Sequence, residues 1–251
     1  MLVDTHCHLN QLPLAGELAV LLDEARAVGV ERWIVPSVHP DDWEQLALLS
    51  RTHEGIRPAY GIHPMHAAAV TSDCLARLEL LASSGVAIGE IGLDGTCADQ
   101  HLQDQLFRAQ LRIARTHGLP VLVHCRRAIG RTIAILREEG VASIGGIMHA
   151  FSGSIESARD CLRLNLVLSV SGIVTRPGAA RLQHVCRELP LQHLVLETDA
   201  PDLTPFNRGH AVNRPAWLTD VATALATLKG CSCAELAEAT SATARRVVSR
   251  L

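Results

Sequence analysis

Eight short apolar runs recur along this chain, each followed by an amphipathic stretch, and this alternation restricts the fold more than any other feature. The runs are "LVDTH", "ERWIVPSV", "RPAYGIHP", "VAIGEIGLD", "LPVLVHC", "IGGIMHAFS", "LVLSVSG" and "HLVLETDAP". They are rich in β-branched residues and bounded by glycine or proline, as strands covered on both faces are. The stretches between them space apolar residues at the helical period. The segment from Glu17 ends at Gly29 and the segment from Gln100 ends at Gly118, each glycine placed to follow a helix C-terminus. Residues 213–230 carry Pro215 near the start and Gly230 at the end, the asymmetry of a capped helix.

Strand then helix, eight times over, predicts an α/β chain folded as a TIM (β/α)8 barrel. Residues 231–251, "CSCAELAEATSATARRVVSRL", are expected to form an extra C-terminal helix that closes it. A doubly wound open sheet is the structural rival, but it needs far fewer parallel strands in succession. No linker, low-complexity tract or charge block divides the sequence, so residues 1–251 read as one domain. Aromatics make up only 3% of the residues, which leaves Leu, Val, Ile and Ala to build the core.

Barrel enzymes do chemistry at the C-terminal ends of their strands. In this sequence those ends collect polar side chains. The first run ends in His6 and His8, the third in His63 and the fifth in His124. The sixth ends in His149, the eighth in Asp199, and the fourth carries Glu90. Within a strand, His6 and His8 point the same way. Any one of these groups alone reads as a satisfied core residue or a helix cap, and Asp4 reads as a residue that orients a histidine or the first loop. Seven on one rim, without partners, would be costly to bury. Cations remove that cost. Imidazole nitrogen with carboxylate oxygen suits zinc, manganese, iron, cobalt or nickel, whereas a magnesium-only site is more often all oxygen. Four histidines and two carboxylates exceed the needs of one tetrahedral ion and suffice for two sharing a bridge. Glu90, in the middle of the rim, is the natural bridging carboxylate.

Other classes find no support. The net charge of −3 argues against a protein that coats long nucleic acid by charge alone, while leaving room for a small basic pocket. The eight cysteines are scattered with no CxxC pair, and no secretory leader or membrane-length apolar run is evident, so a cytoplasmic protein with reduced thiols is expected. Cys7 and Cys125, although next to candidate ligands, are expected to be small core residues. There is no GxSxG elbow, Walker loop, HExxH or GxGxxG after the first strand.

The ordered motifs "DTHCHL", "GIHP", "GEIGLD", "PVLVHCRRA", "HAFSGS" and "LETDAP" resemble the TatD-related metal-dependent hydrolases, the TatD-family DNases of the amidohydrolase superfamily. The resemblance runs from about residue 3 to the "NRP" at 213–215, and the wording leans toward the YjjV-like subgroup. It implies a barrel with a two-metal site. His6, His8, Glu90 and Asp199 would hold one ion, and Glu90, His124 and His149 the other. His63 and Arg126 would reach a substrate phosphate. It further implies metal-dependent phosphodiester cleavage, of the deoxyribonuclease and 3′-exonuclease kind. Two departures matter. "GTCADQHLQDQ" after Asp94 lacks the aromatics common there, and Arg214 stands where many members have Glu. Ala150 replaces a frequent Cys, a change expected to matter little.

Such a site would attack phosphorus with a metal-activated water, Glu90 and Asp199 serving as catalytic carboxylates and Asp199 taking the proton. Zinc is the expected bound metal, with Mg or Mn serving for activity. Arg126, Arg127, Arg176, Arg208 and Arg214 follow strand ends and suit phosphate contacts. The expected substrate is nucleic acid, DNA with single-stranded ends, acted on by a monomer without a membrane. The alternatives are an amidohydrolase-type enzyme cleaving a small amide, ester or lactone, and a non-catalytic protein that uses metal for stability.

Overall fold

In the computed structural model, residues 1–11 and 17–251 are described. Eight parallel strands lie side by side in chain order. They are β1 (Leu2–Asp4), β2 (Val30–Pro36), β3 (Ile56–Tyr60), β4 (Ala87–Asp94), β5 (Val121–Arg126), β6 (Gly146–Met148), β7 (Leu166–Val170) and β8 (Leu194–Leu196). Helices alternate with them: α1 (Leu18–Ala27), α2 (Asp42–Thr52), α3 (Ser72–Ala82), α4 (Gln100–Thr116), α5 (Ile129–Glu138), α6 (Ile155–Arg163), α7 (Ala180–Glu188) and α8 (Leu218–Lys229). A further helix, α9 (Cys233–Val247), follows. The architecture is the barrel with an added C-terminal helix that the sequence predicts. Gly29, Gly118 and Gly230 all take the left-handed conformation at helix ends, with φ of 87°, 60° and 64°.

Alternation along the strands builds two cores. Val3, Ile34, Ala59, Ala87, Leu122, Ile147, Val167 and Val195, one from each strand, meet inside the barrel. Their neighbours, such as Trp33, Val35, Val121 and Val123, turn outward against the helices. Ala244 of α9 and Val248 just after it pack on the inner cluster, so the last helix plugs the barrel floor. A well-capped start holds this helix: Ser232 and Glu235 form a reciprocal capping box.

The first and last strands meet at a seam. Thr5 N–H donates to Leu196 O (2.9 Å), and Asp199 N–H donates to His6 O (2.9 Å). Asp4 reinforces the join. Its Oδ1 accepts from Thr198 N–H (2.9 Å) and its Oδ2 from the Thr198 hydroxyl (2.6 Å). Asp4 also accepts from the backbone N–H of His6 (3.3 Å), which ties the first loop to the seam. Among the described residues no helix is long and apolar enough to cross a membrane.

Candidate metal centre

His6 and His8 lie beyond the ladder of β1, which stops at Asp4, so strand alternation does not by itself aim them. Val3 faces the barrel interior, and Thr5 Oγ1 lies 3.2 Å from Ser169 Oγ on β7. Strict alternation would then turn His6 outward. The chain instead bends at Thr5, which resets the phase. His6 and His8 become the inward pair, and Cys7 joins the outer core. Glu90 lies within β4 and His124 within β5, while His63, His149 and Asp199 follow β3, β6 and β8.

All seven rim groups form one connected cluster around Glu90. Its Oε2 lies 3.2 Å from His6 Nε2 and 3.6 Å from His8 Nε2. Its Oε1 lies 2.8 Å from His124 Nδ1, 3.7 Å from His63 Nε2 and 3.8 Å from His149 Nε2. The two oxygens of one carboxylate thus face two sets of histidines. Asp199 Oδ1 closes the first set, 3.4 Å from His8 Nε2, 3.8 Å from His6 Nε2 and 3.7 Å from His149 Nε2. Three donor groups lie with all atoms within 4.8 Å of one another: His6, His8 and Glu90; His6, His149 and Asp199; and His63, Glu90 and His124. This places His149 between the two sets and brings His63 close to His124.

The spacing fits a cation. A tetrahedral shell with bonds of about 2.0–2.1 Å puts neighbouring ligand atoms about 3.3–3.4 Å apart. His6 Nε2 and His8 Nε2 are 3.3 Å apart, and their distances to Glu90 Oε2 and Asp199 Oδ1 span 3.2–3.8 Å. The ring nitrogens on the far side, His6 Nδ1, His8 Nδ1 and His124 Nε2, have no hydrogen-bond partner among the described residues. The electrostatics agree. Burial would raise Glu90, but His6, His63 and His124 outweigh it and hold the carboxyl well below the usual range. Burial likewise works against Asp199, yet His149, His8 and His6 hold it low. Burial also opposes charge on His149, but Glu197, Asp199 and Glu90 lift it to about 10. The cluster draws positive charge inward.

Hydrogen bonds separate the histidines by role. His149 Nδ1 lies 3.0 Å from Glu197 Oε2, and Glu197 Oε1 accepts from Ala150 N–H (2.8 Å). That bond occupies Nδ1 and leaves Nε2 for the centre. His63 is the reverse. Its Nδ1 accepts from Met65 N–H (3.1 Å), so a neutral ring carries its proton on Nε2. Burial, with His124 and His8 beside it, lowers His63 to about 4 and keeps the ring neutral. His63 is therefore a hydrogen-bond donor toward the centre rather than a lone-pair ligand.

Glu197 lies inside "LETDAP" but has no role in the sequence reading, because only its bond to His149 across the barrel gives it one. We expect Glu197→Gln to keep the Ala150 bond, lose the charge beside His149 and weaken metal affinity about 10–100-fold. Competition with a metal-binding dye measures this. Unchanged affinity would remove Glu197 from the design.

The arginines divide. Arg208 pairs with Asp220 (2.8 Å) and stacks on Trp217, and Arg214 pairs with Glu24 (3.1 Å). Both serve the surface. Arg126, Arg127 and Arg176 are exposed. Among the described residues none of these three has an ion-pair partner. Cys7 is buried, and Cys125 is partly buried and packs against the core as expected.

An eight-stranded barrel with a clustered histidine–carboxylate centre at the C-terminal strand ends defines a metal-dependent hydrolase. Comparison with known proteins narrows the class. The chain belongs to the TatD related DNase family, whose sequence model matches residues 3–249. It is 36% identical over 251 residues to the metal-dependent hydrolase YabD of Bacillus subtilis, covering 98% of each chain. It is 32% identical over 243 residues to the metal-dependent hydrolase YjjV of Escherichia coli, covering 94% of this chain and 93% of that one. The crystal structure of YjjV superposes with a TM-score of 0.93 at 30% identity, covering 99% of this chain and 98% of that one.

Proposed function

We propose that this chain is a deoxyribonuclease that hydrolyses phosphodiester bonds at single-stranded DNA ends, in the manner of a 3′-exonuclease, as a cytoplasmic monomer. The observation that carries the reading is the split of Glu90, whose two oxygens face separate histidine sets. That arrangement supports two cations bridged by one carboxylate. His6, His8, Glu90 and Asp199 would hold one, and Glu90, His124 and His149 the other. The nitrogen–oxygen donor set supports zinc as the bound metal, with Mg or Mn able to serve in turnover. When bound, such a pair acidifies a water and offsets charge growing on phosphoryl oxygens.

The remaining work falls to side chains. Asp199 takes the proton of the attacking water through its carboxylate, which the histidines around it keep ionised beforehand. His63 donates from Nε2 to a phosphoryl oxygen. Arg126, exposed at the end of β5, offers a planar guanidinium to the phosphate. Eight free cysteines fit a reducing compartment.

The test is a substrate panel. Purified protein with Mn, Mg or Zn is given labelled single-stranded and duplex oligonucleotides beside simple amides, esters and lactones. We expect the single strand to shorten from its 3′ end. Turnover of an ester or lactone with every oligonucleotide left intact would favour the rival reading, to which the scarcity of aromatics for holding bases lends support.

A further inference from the structure

A second concavity opens on the rim beside the metal centre. It has a volume of about 240 Å³ and shares one wall, His149, with the centre. Arg127, after β5, and Arg181, in the first turn of α7, both line it. Ser152 adds a hydroxyl, and Ile129 and Phe151 supply an apolar side. No carboxylate lines it. Among the described residues neither arginine has an ion-pair or hydrogen-bond partner, whereas Arg208 and Arg214 are engaged by acids.

The backbone places Arg127 with care. Its φ is 53°, a conformation non-glycine residues rarely adopt. Gly95 packs against this turn. Its N–H donates to Arg126 O (2.7 Å), and a Cβ at Gly95 would meet Arg127 O at 2.9 Å. The reversal separates the two neighbouring arginines, for Arg127 lines the cavity and Arg126 does not.

A cavity this small is below the about 300–1,000 Å³ that encloses a whole drug-sized ligand, so it takes part of a substrate. Its two guanidiniums, in a lining that holds no carboxylate, call for an anionic part. A small neutral ester or lactone has nothing to put there. A nucleic acid strand has a second phosphate one residue from the bond being cut. We propose that this cavity holds that flanking phosphate between Arg127 and Arg181, with its sugar against Ile129 and Phe151. The assignment rests on the phosphodiesterase reading and narrows it to substrates with at least two phosphates.

The test compares a thymidine dinucleotide having one internal phosphodiester with the same dinucleotide phosphorylated at either end. In the unaltered enzyme a phosphate at one of the two ends lowers KM about tenfold, the worth of one good charge-assisted contact. In the Arg127→Ala, Arg181→Ala double variant that advantage disappears. Arg163→Ala, at the far end of α6 and paired with Asp160, keeps it. No preference in the unaltered enzyme, or a preference that survives the double change, overturns the proposal. A second measurement is independent of turnover: calorimetric binding of thymidine bisphosphate against the two thymidine monophosphates. A bisphosphate preference that depends on both arginines sustains the cavity even if no phosphodiester is hydrolysed, which would sink only the reaction assignment. Equal binding by the unaltered enzyme and the double variant sinks the cavity. Matching circular-dichroism melts confirm that the variants fold.

Discussion

With Glu90 replaced by alanine, hydrolysis of a labelled oligonucleotide falls by at least about 10²–10³-fold, the scale of losing one preorganised electrostatic contact at a reacting centre. The loss should reach the upper end or beyond, because this carboxylate serves two sets of histidines at once. Its oxygens lie 3.2 Å from His6 and 2.8 Å from His124, and no other described acid reaches both. Elemental analysis of the purified variant should show reduced metal content in step with activity. Glu90→Gln keeps the shape and removes the charge, so it separates packing from electrostatics. Trimming at the unaltered rate in either variant, with full metal content, would mean that Glu90 bridges nothing and that the activity belongs elsewhere.

Stripping the protein with a chelator and then restoring zinc should raise the unfolding midpoint by about 8–16 °C at zinc a thousandfold above its dissociation constant. Linkage sets the size: that excess stabilises the folded state by about 4 kcal/mol, and a chain of this length moves about 2–4 °C per kcal/mol. The physical cause is the concentration of buried groups that draw positive charge. Glu90 and Asp199 are held ionised, and the acids around His149 raise it to about 10. A cation answers that field without demanding a proton. Differential scanning fluorimetry with zinc, manganese and magnesium in turn makes the measurement. A midpoint indifferent to all three would show that the cluster is a hydrogen-bonded polar core and not a metal centre.

The barrel was legible because seven of the eight strands announce themselves twice, by an apolar run and by a nearby glycine or proline, β1 having the run alone. Helix ends were legible for the same reason, as Gly29, Gly118 and Gly230 show. The rim was legible because chemistry in this architecture gathers at one end of every strand. Finer assignments depend on contacts between distant segments. His63 and His149 look alike in sequence, each at a strand end. Met65 N–H claims Nδ1 of the first, and Glu197 claims Nδ1 of the second, which sends the two rings to different tasks. Arg208 and Arg214 read as phosphate contacts until Asp220 and Glu24 are seen beside them. Arg181 reaches the rim from the first turn of α7, away from the strand ends that the barrel pattern singles out.

The seam couples assembly of the catalytic centre to the order in which the chain is made. Thr5 and the carbonyl it binds are 191 positions apart, and His6 depends on the same join for its place beside Asp199. At about 5–20 residues per second, roughly 10–40 s separate the emergence of these segments from a ribosome. Throughout that interval the paired histidines lack Asp199, the acid that closes their set. The nascent polypeptide thus cannot close this centre until the segment after its final strand arrives, a delay written into the topology itself.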